Sequence, residues 1–183
     1  MRGPLITLEG VEGSGKTTQI VRLAKHCEAL GREVVCTREP GGTPIGERIR
    51  AILLDPAHCA MSATAELLLY EAARAQLVAE VIRPAVEAGR VVLCDRFADS
   101  TTAYQGAGRG LAAEDVMPLH RLATGGVWPD LTFVLDLPPE EGLRRAAGVR
   151  DRDRLEREPI EFHRRVREGF LRIARSEPGR VAV

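Results

Sequence analysis

The chain lacks a net charge and long apolar runs, and each absence excludes a class of protein. The chain has 26 basic residues, of which only two are lysines, and 26 acidic residues. The net charge is therefore zero and does not favour binding to nucleic acid or to an anionic membrane. No apolar run approaches the roughly 20 residues that cross a bilayer. The four cysteines form no C-x-x-C pair and the four histidines do not cluster near them, which argues against a zinc site or a disulfide framework. We therefore expect a soluble, cytoplasmic protein that binds neither nucleic acid nor a membrane.

Short apolar runs alternate with longer helical patterns along the 183 residues. The runs cover 5–8, 33–37, 91–94, 131–136 and 180–183, and they are continuous rather than alternating, which is typical of strands buried on both faces of a parallel sheet. Helical spacing covers 20–30, 63–87 and the stretch after Pro159. Pro84 predicts a kink or a break in the second of these helices. The pattern predicts one α/β doubly wound domain over 1–183, with ligands at the carboxyl ends of the strands.

A glycine-rich stretch, GVEGSGKT at 10–17, lies between the first predicted strand and the first predicted helix. It matches G-x-x-x-x-G-K-[ST], in which backbone N–H groups cradle phosphates, the lysine reaches the β- and γ-phosphates and the hydroxyl binds Mg²⁺. The sequence has no N-K-x-D guanine-reading motif, and it is too short and too weakly basic for a motor or helicase. We therefore expect ATP beside a small phosphorylated acceptor. The predicted ATP-binding residues are Gly10, Val11, Glu12, Gly13, Ser14, Gly15, Lys16, Thr17 and Thr18.

Asp95 and Arg96 follow the buried run at 91–94. The carboxylate suits the second Mg²⁺ position of a phosphate-loop protein, and the guanidinium suits a second phosphate. Alone, the two residues could merely end a strand. The polar, glycine-rich segment 97–111 that follows is either a solvated connection or the wall of a sugar and base pocket.

Two further patterns have both an ordinary and a functional interpretation. Tyr70 and Arg74 lie four residues apart on one helix face and could read a base together, although a core tyrosine and a surface arginine would look the same. The arginine-rich segment 144–158 is either a solvated helix face or a lid that closes over the triphosphate, where positive charge accelerates phosphoryl transfer.

Several motifs together resemble one family. LEGVEGSGKTT, TREPGGTPIGERIR, EAAR, DRFADSTTAYQGAGRG, PDLTFVLDLPPEEGLRRA and DRLE occur in the order seen in bacterial thymidylate kinases, from about Leu5 to the end of the chain. The resemblance implies transfer of a phosphate from ATP to dTMP with Mg²⁺. It also implies a three-layer P-loop NTPase fold with a five-stranded parallel sheet, a small lid at about 145–156 and a homodimer.

The resemblance also implies catalytic roles. Glu9 is similar to an acidic residue near the transferring phosphate and the metal. In one branch of the family an arginine stands at the place of Gly13, so here the catalytic arginine is expected from the lid. The implied catalytic residues are Lys16, Glu9, Arg96, Arg150, Arg152 and Arg154, with Arg150 as first choice, and the implied metal ligands are Thr17, Asp95 and Glu9.

For the acceptor, the resemblance implies that Tyr70 stacks on thymine, Arg74 binds a base carbonyl and Glu12 reads the deoxyribose 3′-hydroxyl. Tyr104 is expected to crowd the 2′ position and so to disfavour ribonucleotides. The implied dTMP-binding residues are Glu12, Arg38, Glu39, Pro40, Arg50, Tyr70, Arg74, Arg96, Ser100, Thr101, Tyr104 and Gln105.

Two alternative functions remain open at this stage: a kinase of the same fold acting on another nucleoside monophosphate, and a non-catalytic ATP-binding module. The family usually continues through an adenine-contacting loop and a closing helix, whereas this sequence stops at Val183 inside the last expected strand. A fragment or a shortened form is therefore expected.

Overall fold

The computed structural model describes residues 2–147 and 152–183. Five parallel strands form one sheet in the order β2-β3-β1-β4-β5. The strands are β1 (Leu5–Glu9), β2 (Val34–Arg38), β3 (Val91–Asp95), β4 (Leu131–Val134) and β5 (Val181–Ala182). The five apolar runs of the sequence thus form the five strands, and the predicted parallel α/β sheet is confirmed.

Helices connect the strands and cover the sheet. They are α1 (Lys16–Ala29), α2 (Pro44–Leu54), α3 (Ala63–Leu77), α4 (Arg83–Glu87), α5 (Ala98–Thr101), α6 (Ala113–Thr124), α7 (Pro139–Ala147) and α8 (Ile160–Ser176). Two π-helical turns, Val78–Ile82 and Thr102–Gly108, continue α3 and α5. None of the helices in the described ranges is long and apolar enough to cross a membrane.

The helical pattern at 63–87 is interrupted close to the predicted position. A π-helical turn, Val78–Ile82, joins α3 to α4, and Pro84 is the second residue of α4. The helix does not end at the proline, since the backbone stays helical across the junction. A proline inside a helix removes one N–H donor and crowds the preceding turn, and a π-helical turn is one way in which a helix accommodates such an irregularity. The irregularity therefore directly precedes the proline.

Each face of the sheet has its own apolar core. On one face, Leu8 and Leu93 pack against Ile20 of α1. On the other, Leu5 and Val92 pack against the helix pair α3 and α4. Alternation along each strand explains this division, since successive side chains point to opposite faces.

The register of β1 and β3 determines where the residues predicted to bind phosphate meet. Leu8 pairs with Asp95, so the two strands end side by side. The loop 10–15 follows β1, Asp95 ends β3 and Arg96 follows it. These residues therefore lie at one edge of the sheet. In a parallel sheet this carboxyl edge is where ligands bind.

Candidate active site

The loop 10–15 has the backbone of an anion cradle. Gly10, Gly13 and Gly15 all have positive φ angles, of 131°, 66° and 94°, which side-chain-bearing residues rarely adopt. Gly15 leads directly into α1, whose N-terminus offers unpaired N–H groups and the positive end of the helix dipole. The loop therefore has the backbone geometry of an anion-binding site.

Lys16 lies folded over this loop. Its Nζ donates to the carbonyl oxygens of Gly10 and Val11, at 3.0 and 2.8 Å, and lies 3.3 Å from Ser14 Oγ. Burial, and next the charge of Arg96, lower the pKa of Lys16 to about 7. A polyanion bound in the loop would raise the pKa of Lys16 again, because a nearby negative charge favours the charged ammonium.

Thr17 and Asp95 bring two oxygen ligands together. Thr17 Oγ1 donates to Asp95 Oδ2 at 2.8 Å, which joins α1 to the end of β3. A hydroxyl and a carboxylate are hard oxygen donors, and Mg²⁺ typically binds one or two such groups plus phosphates and water. The donor set fits Mg²⁺, although the described residues contain no group of three acidic, histidine or cysteine side chains.

Glu9 makes no hydrogen bond to Thr17 or Asp95 in the described residues; it contacts the chain that follows β3. It is fully buried, and its two oxygens accept from Phe97 N at 2.7 Å and Ser100 Oγ at 2.5 Å. Burial, and next the charge of Asp99, raise the pKa of Glu9 to about 8. Each oxygen thus holds the chain that follows β3 and keeps one lone pair, so the predicted role of Glu9 as a metal ligand stays a prediction.

Arg96 faces the loop 10–15 from the end of β3. Its guanidinium lies 3.3 Å from Glu12 Oε1 and 3.1 Å from both Ser100 Oγ and Tyr104 Oη. Among the described residues it is the one non-glycine residue with positive φ, 70°. Such strained backbone concentrates at functional sites, where the surrounding structure holds it.

Two cavities adjoin at this edge of the sheet. The acceptor cavity, as we name it, is lined by every residue predicted for dTMP except Arg38: Glu12, Glu39, Pro40, Arg50, Tyr70, Arg74, Arg96, Ser100, Thr101, Tyr104 and Gln105. The loop cavity is lined by Gly13, Gly15, Lys16, Thr17, Thr18, Arg38 and Asp95, among others. Glu12, Glu39, Arg50, Arg96 and Glu156 line both cavities, so the two share one wall.

Arg74 lies at the inner end of the acceptor cavity and is only 1 % exposed. Its Nε donates to Glu39 at 2.9 Å, Nη1 to Glu71 at 2.5 Å and Nη2 to Thr101 at 2.9 Å. Behind it, His120 Nδ1 lies 2.9 Å from Glu71. All three guanidinium nitrogens thus bind protein groups, and a base carbonyl would have to share or displace one of them.

Comparison with known proteins identifies the family. A family model described as thymidylate kinase matches residues 8–183. A curated thymidylate kinase of Deinococcus radiodurans is 55% identical over 182 residues, covering 100% of this chain and 88% of the relative. One of Halothermothrix orenii is 57% identical over 177 residues, covering 95% and 85%. The crystal structure of thymidylate kinase from Ehrlichia chaffeensis has a TM-score of 0.82 at 36% identity and covers 100% of this chain and 93% of that one. This chain belongs to the thymidylate kinase family.

Gly13 distinguishes this member of the thymidylate kinase family from the branch with an arginine in the loop. A Cβ at Gly13 would lie 2.2 Å from the carbonyl oxygen of Gly142, at the start of α7. A Cβ at Gly142 would likewise lie 2.1 Å from Glu12 O. Because α7 touches the loop backbone, no side chain fits at either position, and a loop arginine is excluded here by packing.

The arginines that were predicted for a lid differ in their placement. Arg154 is buried: its Nη1 lies 2.6 Å from Glu66, and its Nε donates to Leu53 O at 2.8 Å. These contacts argue against a role for Arg154 on the transferring phosphate. Arg152 is exposed, and Arg150 lies outside the described residues. Arg145, which sequence reasoning did not single out, lines the loop cavity.

Proposed function

We propose that this chain catalyses transfer of the γ-phosphate of ATP to dTMP, giving dTDP and ADP. One observation carries the proposal beyond family membership: the loop cavity and the acceptor cavity share a wall that includes Arg96. Two phosphates held on either side of one guanidinium approach each other, and phosphoryl transfer depends chiefly on such alignment and charge neutralisation.

On the donor side, the loop 10–15 and the N-terminus of α1 hold the triphosphate through backbone N–H groups. Lys16 exchanges its contacts with Gly10 O and Val11 O for phosphate oxygens. Mg²⁺ held by Thr17 and Asp95 would neutralise charge on the triphosphate. Together these groups stabilise the negative charge on the transferring phosphate in the transition state.

On the acceptor side, Arg96 binds the dTMP phosphate and Tyr70 stacks on the base. Tyr104 and Glu12 meet the sugar: Tyr104 Oη donates to Glu12 Oε1 at 2.5 Å, so the two occupy the same side of the cavity. Tyr104 is buried and excludes a 2′-hydroxyl by its bulk. The cavity thus selects a deoxyribonucleotide by shape.

We propose that the predicted lid at 145–156 of the single domain, of which 148–151 lie outside the described residues, closes over the donor. Arg145 supports this because it already lines the loop cavity, where it is paired with Glu141 at 2.8 Å. We assign the positive charge that stabilises the transferring phosphate to Arg145, Arg150 or Arg152 rather than to Arg154. Closure also excludes water, which would otherwise take the phosphate.

The proposed function is tested with an ADP-release assay on dTMP, dUMP, AMP and dGMP. Turnover should be fastest on dTMP. Because dUMP lacks only a methyl group, worth about 1–3 kcal/mol in a pocket, we expect kcat/KM for dUMP to be about 10- to 200-fold lower. Faster turnover of another monophosphate would assign a different acceptor, and ATP binding without turnover of any acceptor would leave only a binding module.

We further propose a homodimer in the cytoplasm, where the four free cysteines suit a reducing environment. Helix α3 packs between α2 and α6, and these helices expose Ile45, Ile52, Leu68 and Leu122. A cluster of exposed apolar side chains on neighbouring helices is typical of an interface.

Sedimentation equilibrium should give twice the chain mass for the wild type, and Leu68→Glu should shift the mass towards the monomer, because it buries a charge in the interface. Leu30→Glu is the matched control. Leu30 is also exposed, but it follows α1 rather than lying on α2, α3 or α6, so the dimer should persist. A wild-type monomer at tens of micromolar would contradict the proposal.

A further inference from the structure

A buried histidine lies next to Glu12, one of the residues that line the acceptor cavity. His163, on α8, is fully buried, and neither ring nitrogen has a partner within hydrogen-bonding geometry among residues 2–147 and 152–183. An unpaired buried polar group is unfavourable, so such a side chain calls for an explanation. Its nearest polar neighbour provides one.

That neighbour is Glu12 of the phosphate loop. His163 Nδ1 lies 3.5 Å from Glu12 Oε2, and Oε2 is itself buried without a hydrogen-bond partner. The other oxygen, Oε1, meets Tyr104 Oη and the guanidinium of Arg96. The carboxylate thus turns one oxygen to α8 and the other to the acceptor cavity.

The surroundings favour a strong interaction between the two groups. Phe162 places its ring edge-on to His163, with centroids 5.3 Å apart, and Phe162 and Phe170 both pack against Tyr104. In such an apolar environment an N–H directed at a carboxylate is worth more than in water. Burial alone would raise the pKa of Glu12, but His163, Arg96 and Tyr104 hold it well below its usual range.

We propose that His163 is a positioning residue that donates from Nδ1 to Glu12 Oε2 and so presents Oε1 to the sugar hydroxyl of the acceptor. This inference rests on the proposed function. An ionised carboxylate can only accept hydrogen bonds, so it repels the phosphate and the base carbonyls of dTMP. The donors of dTMP are the hydroxyl on C3′ and the N3–H of the base. Because the base is assigned to Tyr70 and Arg74, the C3′ hydroxyl is the donor left for Glu12.

The role makes a prediction that a purely structural role does not. Loss of the His163 contact should lower kcat/KM only for acceptors that carry a 3′-hydroxyl. His163→Leu removes the donor, whereas His163→Asn keeps an N–H close to the place of Nδ1. Val166→Ala is the matched control, because Val166 is fully buried on the same helix but contacts no predicted site residue through a hydrogen bond.

The experiment compares kcat/KM for dTMP and for 3′-deoxythymidine 5′-monophosphate, with thermal unfolding of each variant. We expect His163→Leu to lower kcat/KM for dTMP about tenfold, mainly through KM, and to change the value for the deoxy analogue less than about threefold. His163→Asn should restore most of the loss, and Val166→Ala should keep the wild-type ratio between the substrates. His163→Met replaces His163→Leu as the apolar variant if the latter does not fold.

An equal loss on both substrates, or no loss on dTMP, would overturn the positioning role. Failure of the wild type to phosphorylate either substrate is a separate result: it removes the proposed function, and this inference with it. Wild-type turnover that prefers dTMP, followed by an unchanged preference in His163→Leu, refutes the inference while leaving the proposed function intact.

Discussion

Replacing Lys16 with methionine should lower kcat on dTMP by about three orders of magnitude. The ammonium is the one lysine charge at the loop, and its Nζ lies within 3.0 Å of two loop carbonyl oxygens, so it is positioned for the phosphates that enter the cradle. Methionine keeps most of the stem volume but removes the charge and all three N–H donors. The loss should therefore fall on kcat, since the charge on the transferring group develops in the transition state.

Initial-rate kinetics over both substrates test this. KM for dTMP should change less than about threefold, because Lys16 lines the loop cavity and not the acceptor cavity. Lys25→Met is a matched control: Lys25 is the other lysine of the chain, exposed on the same helix, and its replacement should leave kcat unchanged. A Lys16→Met variant that retains a tenth of the wild-type kcat would contradict the assigned role.

Features that depend on neighbouring residues in the chain could be predicted from the sequence. The run at 91–94 is apolar at every position because β3 is buried on both faces, so its assignment needed no tertiary information. Gly10 and Gly15 precede Lys16 at fixed spacing, and both have the positive φ angles that this motif implies. Asp95 lies at the same edge of the sheet as the loop 10–15, as expected from parallel strands that end side by side.

Features that depend on distant partners could not be predicted in the same way. Arg154 follows an arginine-rich pattern, but its charge is paired with Glu66, 88 positions earlier, because the chain packs it there. His120 and His163 carry no local motif, and their significance comes only from the carboxylates that the fold brings to them. The partner of a buried charge is set by packing, which periodicity and composition do not encode.

Replacing Arg74 with methionine should lower the free energy of unfolding by about 3–5 kcal/mol, because it leaves two buried carboxylates without their cation. Arg74 Nη2 lies 2.7 Å from Glu39, and Nη1 lies 2.5 Å from Glu71. Burial already raises the pKa of Glu39 to about 7, although Arg74 opposes the shift. Chemical denaturation of the two proteins measures the difference.

The pH dependence distinguishes the loss of a charge partner from a packing defect. A carboxyl whose pKa is raised on folding is most favourable to the folded state below its unfolded pKa, and this stability is lost as the pH rises through the folded pKa. Because Arg74 lowers the pKa of Glu39 in the wild type, its removal raises that pKa further. The deficit of Arg74→Met should therefore be larger at pH 8 than at pH 5, and Glu39→Gln added to it should recover part of the loss at pH 8. Arg22→Met, at an exposed position of α1, should change little at either pH. An equal deficit at both pH values would mean that Arg74 stabilises the core by packing rather than by charge.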